Sequence, residues 1–157
     1  MPVNIMQSLF VVELRDLYSA ENQLVKALPQ MAAAAKSNTL KSAFEKHLDE
    51  TRNHVQRLTE IFSELGQQPT GKHCKGMEGL LAEGNEAIQM QGDPDVRDAA
   101  LIGAAQRVEH YEIAGYGVAR TFAKELGFDQ AAKTLQKTLD EEGSADKKLT
   151  SIAEGGL

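Results

Sequence analysis

Leu14, Leu17, Glu21, Leu24, Leu28 and Met31 follow one another at steps of 3, 4, 3, 4 and 3. Apolar residues at that spacing mark the inner face of a helix in a bundle. Glu21 occupies one of those inner positions, and an ionised carboxylate buried without a partner is costly. The pattern predicts a first helix over about Asn4 to Ala35, with Pro29 late in it and able to bend it or loosen a backbone hydrogen bond. Ser37, Asn38 and Thr39 form a short polar break with capping residues. A second helix then runs from about Leu40 to Leu65, with Phe44, Leu48, Val55, Leu58, Phe62 and Leu65 as its apolar stripe and Gly66 as its stop. A loop leads to a short third helix near Met77 to Met90. Asp93 and Pro94 start a fourth helix that reaches about Leu126. Gly127 ends it, and Asp129 is placed to cap a fifth that reaches about Glu154.

Four long helices and one short one predict an all-α four-helix bundle spanning residues 1–157 as a single domain. The short helix lies in the long connection between the second and third long helices. That crossover makes helices 2 and 4 parallel. The two hairpins are weakly alike: LDE from Leu48 recurs from Leu139, and RLTEI from Arg57 recurs as KLTSI from Lys148. The 91-residue offset reads either as a remnant of duplication or as chance between helices of similar composition.

The remaining seams carry the same anomaly as the first. Helix 4 reads Leu101, Ala105, Val108, Glu112, Gly115, Ala119, Phe122 and Leu126, with Glu109 one turn before Glu112. Helix 5 reads Leu135, Leu139, Glu142, Asp146, Leu149 and Ala153. On helix 2, Glu50 and His54 flank the stripe. The candidate metal ligands are therefore Glu21, Glu50, His54, Glu109, Glu112, Glu142 and Asp146. Carboxylates suit hard cations, and imidazole suits iron, manganese or zinc. Two ions bridged by carboxylates need about this many ligands.

A lone glutamate on a helix is ordinarily a solvated one, and Glu13, Glu50 and Glu141 are ordinary by that test. His47, His73 and His110 read as surface or satisfied core histidines, and Cys74 as a small loop or core residue. An internal salt-bridge network is the rival explanation, yet no Lys or Arg falls in the seams. Composition adds little: a net charge of -6 and a pI near 5.2 disfavour nucleic-acid binding. No apolar stretch approaches membrane-spanning length, and the N-terminus lacks the basic region of a signal peptide. One cysteine excludes an intrachain disulfide and fits a reducing, cytoplasmic setting. Phe10, Val11 and Val12, beside the first seam, suggest a homodimer interface.

DLYSAENQLVKALPQM in helix 1, HLDETRNHVQRLTEIF in helix 2, CKGMEGLLAEG after the loop and TLDEEGSADKKLTSIAE near the end resemble the YciF/YciE family of small bacterial ferritin-like proteins. The resemblance covers nearly the whole chain. It implies a core similar to those of rubrerythrin and bacterioferritin and a stress-related role. It places Glu21 at the lone glutamate of the first helix and Glu50 at the start of the second-helix motif. Glu109 and Glu112 then form a Glu-x-x-Glu pair, and Glu142 is the fourth-helix glutamate. One departure is visible. Ferritin-like di-iron sites usually read Glu-x-x-His, whereas Asn53 and Ala145 stand three residues after Glu50 and Glu142. The repeat selects Glu141 where core phase selects Glu142. The expected functions are a protein binding two iron or manganese ions and acting on oxygen or peroxide, or a non-enzymatic bundle with one structural ion. An iron-storage cage is disfavoured.

Overall fold

The computed structural model describes residues 5–155. The described residues form five helices: α1 (Met6–Ala34), α2 (Asn38–Leu65), α3 (Lys75–Gln89), α4 (Pro94–Glu125) and α5 (Asp129–Glu154). The expected start of the first helix at Asn4 lies outside the described residues. Pro29 sits inside α1, which continues past it to Ala34.

The caps follow local chemistry. The Ser37 hydroxyl accepts a hydrogen bond from the Leu40 amide, and Asp93 accepts one from the Asp95 amide ahead of Pro94. Gly66 closes α2 in the left-handed region at φ 65°, where a side chain would be strained. Asp129 is not the cap of α5. It is the first helical residue, and Phe128 holds the cap position without a side-chain hydrogen bond.

α1 packs on α2 and α4, and α5 packs on α2 and α4, so each long helix has two long neighbours. The close approach of α1 and α4 is made at Gly115, where an added Cβ would lie 2.8 Å from Leu17 Cδ2. Leu17 meets Gly115 while Lys36 meets Asp98, so α1 and α4 run antiparallel. With α1 also antiparallel to α2 across a short turn, α2 and α4 are parallel, as the crossover requires. α3 lies against α1 and α4.

Asp98 fixes the α1–α2 turn to the start of α4. Its carboxylate is fully buried and accepts from the Lys36 amide at 2.9 Å and the Ser37 amide at 2.7 Å. Asp98→Ala would leave two amides without that acceptor. It is expected to lower unfolding free energy by about 3 kcal/mol, read as a lower urea midpoint at unchanged slope. An unchanged midpoint would show that the turn is held by other contacts.

The apolar core is divided. One part gathers Leu24, Leu28, Met31, Phe44, Leu101 and Val108, and the other Phe10, Leu14, Leu17, Leu58, Phe62 and Leu135. Phe10 and Val11 are buried in the second part, at 0% and 5% exposure, so they are not free to make a dimer interface. Phe10 stacks on Phe128 at 5.9 Å between ring centroids. Between the two apolar parts lies a polar layer to which all four long helices contribute.

Candidate metal centre

Each long helix delivers its polar residues near its midpoint, because the inner-face spacing continues through them. Glu21 of α1, His54 of α2, Glu112 of α4 and Glu142 of α5 converge, each offering a ligand atom within 4.8 Å of the others. A second group, His47, Glu109 and Glu142, meets the same criterion, and Glu142 belongs to both. All six residues are buried, and Glu21, His54, Glu112 and Glu142 have no exposed surface.

The two imidazoles present opposite nitrogens to the centre. His54 turns Nδ1 inward, 3.1 Å from Glu21 Oε1 and 3.0 Å from Glu142 Oε1, and Nε2 outward, 2.9 Å from Glu141 Oε2. His47 turns Nε2 inward, 2.9 Å from Glu109 Oε1 and 3.5 Å from Glu142 Oε2, and Nδ1 outward, 3.2 Å from Glu50 Oε2. Each histidine thus has one nitrogen for the cluster and a carboxylate on the other. That outer carboxylate fixes ring orientation and makes the inner nitrogen more basic, as in metal sites generally. Glu141 is itself held by Arg57, whose Nη2 donates to Oε1 at 2.9 Å and whose Nη1 donates to Oε2. Tyr116, also buried, donates to Glu21 Oε1 at 2.5 Å.

The inner atoms are poorly satisfied without a cation. Glu21 Oε2, Glu109 Oε2, both carboxylate oxygens of Glu112, both of Glu142 and His47 Nε2 are buried with no hydrogen-bond partner at acceptable geometry. His47 Nε2 and Glu109 Oε1 are close enough to bond but misaligned. Lone pairs that approach without pointing at a donor fit convergence on a shared centre. Four carboxylate charges would be matched by two divalent cations with both imidazoles neutral. The residue set therefore fits hard or borderline cations.

Without metal, protons must do the balancing. Desolvation, reinforced by Glu21 and Glu142, pushes Glu112 well above the usual carboxylate range. Desolvation pushes Glu109 up as well, with help from the Glu142 charge and against the pull of His47. Burial disfavours a charged His54, but hydrogen bonds to Glu142 and Glu21 outweigh it and raise it to about 10. Burial opposes a charged His47 too, yet the carboxylates of Glu109, Glu50 and Glu142 prevail and hold it well above the usual histidine range. Glu142 is opposed by its burial, but the neighbouring Glu109, His54 and His47 hold it low.

Of the seven residues proposed from sequence, Glu21, His54, Glu109, Glu112 and Glu142 come together. Glu50 and Asp146 do not enter either group. Glu50 is part-buried and stands behind His47 as its outer carboxylate. Asp146 lies to one side, with Oδ2 3.3 Å from the exposed His110. The buried positions on α5 are Ala131, Leu135, Thr138, Glu142, Leu149 and Ile152, and Asp146, like Ala145, is half-buried at the edge of that face. His47, read as an ordinary histidine, is a member of the second group. The signal for it was present: Phe44, His47, Thr51, His54 and Leu58 are all buried at steps of 3, 4, 3 and 4. The apolar stripe through Leu48 and Val55 obscured that face because its middle is polar. The repeat also acquires a meaning. Glu50 and Glu141, related by the 91-residue offset, each take the outer nitrogen of one histidine, Nδ1 of His47 and Nε2 of His54, while Glu142 is the inner residue that core phase selected.

Glu50→Gln leaves His47 with a weaker, neutral partner and is expected to reduce metal affinity about ten- to a hundred-fold. Competition with a metallochromic chelator would measure it, and wild-type affinity would show that Glu50 does not act through His47.

The chain resembles known proteins over nearly its full length. It is 45% identical over 154 residues to Protein YciF of Escherichia coli (strain K12), covering 98% of this chain and 93% of that protein. The crystal structure of the E. coli stress protein YciF matches with a TM-score of 0.93 over 96% of both chains. The structure of YcfI from Rhodopseudomonas palustris matches at 0.91 with 41% identity, again over 96% of both. A Bacillus anthracis str. Ames structure described as ferritin like and diiron-carboxylate matches at 0.72 over 94% of this chain and 97% of that one. At 16% identity, that likeness is one of fold. No helix among the described residues is long and apolar enough to cross a membrane. With residues 6–157 matching the family model described as Domain of unknown function (DUF892), the chain belongs to the DUF892 family.

Proposed function

We propose that this chain binds two iron or manganese ions across Glu142 and acts on oxygen or peroxide, in a stress-related role like the one the name of its E. coli relative carries. One observation carries the reading: two groups of buried ligands share one carboxylate, Glu142, whose two oxygens face the two histidines. Bound metals would supply redox electrons and Lewis acidity at this buried site.

The residues have distinct tasks in this scheme. Glu21, His54 and Glu112 would hold one ion and His47 and Glu109 the other, with Glu142 available to both. Tyr116 fixes Glu21 Oε1 and leaves Oε2 for the metal. Arg57, Glu141 and His54 form a hydrogen-bonded chain from the half-exposed rim to the buried centre. It orients His54.

The experiment is metal analysis of protein purified without chelator, followed by peroxide consumption under turnover. Near two ions per chain with peroxide turnover lost in Glu112→Ala supports the reading. Metal without turnover would make the ions structural, and metal content indifferent to Glu112→Ala would remove the site altogether.

A further inference from the structure

A cavity of about 660 Å³ opens between α2 and α5 and reaches the His47 and Glu109 side of the centre. Its volume lies within the roughly 300–1,000 Å³ typical of small-molecule sites. The inner walls are hydrocarbon, from Leu24, Leu28 and Met31 of α1 and Val108 of α4. The mouth is kept open by small side chains, among them Ala43 of α2 and Ala145 of α5. Two exposed lysines flank it. Lys46 lies 3.6 Å from Glu50, and Lys148 has no ion pair among the described residues. At the deep polar end, His47 Nε2 and Glu109 Oε2 are buried without hydrogen-bond partners.

Water or a small oxidant needs no such hydrocarbon lining. Lys46 is balanced by Glu50, which also lines the cavity, so an apolar cavity with one unpaired rim cation, Lys148, matches a molecule with an apolar chain and a single anionic head. We propose that this crevice binds a single-chain anionic amphiphile, a fatty acid of medium length, with its carboxylate at Lys148 and its hydrocarbon against α1 and α4. The bound chain then lies beside the His47–Glu109 half of the centre. The inference deepens the metal reading by naming what approaches that centre. It rests on that reading for the chemistry at the deep end but not for binding itself.

The test is calorimetric titration of dodecanoate into the full chain, metal-free and manganese-loaded, with dodecyltrimethylammonium as the cationic control. Saturable binding at one site is expected. Lys148→Glu, with metal uptake unchanged, is expected to weaken it about ten-fold, the effect of about 1.4 kcal/mol. Ala145→Trp, checked for folding by its melting curve, is expected to abolish it. Equal binding of the anionic and cationic probes overturns the proposal, as does dodecanoate binding unaffected by either variant. Absence of binding with normal manganese uptake overturns the crevice and leaves the metal centre standing. Dodecanoate binding without manganese uptake does the reverse. Sedimentation showing a dimer that Ala145→Trp dissociates would make the crevice an interface between two copies and also overturn it.

Discussion

Glu142→Ala is expected to remove both metal ions at once, while Glu21→Ala removes one and spares the other. The difference follows from geometry. Glu142 belongs to both ligand groups, with Oε1 3.0 Å from His54 and Oε2 3.5 Å from His47, whereas Glu21 belongs to one. Elemental analysis of chelator-free preparations would read it directly. Equal losses in the two variants would show that Glu142 is not shared. A third variant separates binding from folding. Both oxygens of Glu112 are buried and unpartnered, so in metal-free protein this residue is a liability. Glu112→Leu should stabilise the metal-free chain, by about 1–4 kcal/mol if it behaves like other buried charges replaced by hydrocarbon, while abolishing metal uptake. A metal-free Glu112→Leu protein that melts below wild type would contradict this.

The second large effect is an opposite response to pH with and without metal. Glu109 and Glu112 have folded values raised above 4.5, and His47 and His54 values raised above 6.5. In each case the folded state holds the proton more tightly than the unfolded chain. Their stabilising contribution is therefore complete below the unfolded values and is lost as pH rises through the folded ones. Metal-free protein should lose stability from about pH 4.5 upward, with the His54 part spent between 6.5 and about 10. Carboxylates held low, such as Glu50 and Glu141, act in the opposite sense, but only as pH falls below their unfolded values. With metal bound, the same ligands must be deprotonated, so affinity and stability rise with pH over that window. The His54 part of the divergence should reach about 2 kcal/mol by pH 8, at about 1.4 kcal/mol for each tenfold difference in proton affinity between folded and unfolded chain. Melting curves with chelator and with manganese, taken from pH 5 to 9, would show it. Parallel curves would mean that metal does not replace these protons.

How far the sequence reveals this arrangement depends on how cleanly each helix separates its faces. α1 is legible because Glu21 is one polar residue among leucines, and its seam fixes the phase. α4 is legible for the same reason at Glu112. α2 is not, because three successive inner positions, His47, Thr51 and His54, are polar, and the nearby Leu48 and Val55 pull the apparent stripe sideways. On α5 Asp146 sits half-buried at the edge of the inner face, where a carboxylate looks like a ligand. The outer carboxylates Glu50 and Glu141 are legible only through the repeat, which relates positions but does not say whether they face inward. The burial of Phe10 and Val11 was hidden because it depends on Phe128 and Phe62, residues distant in sequence. The bundle itself is recoverable from lengths and caps, since Gly66, Asp93 and Pro94 punctuate the chain where the helices end and begin.

The central claim is that two cations share Glu142 at the middle of the bundle. Anomalous scattering from a crystal soaked in manganese tests it most directly. Two peaks are expected, one among Glu21, His54, Glu112 and Glu142, and one among His47, Glu109 and Glu142. No peak in the polar layer, or a lone peak beside His110 and Asp146, would contradict it.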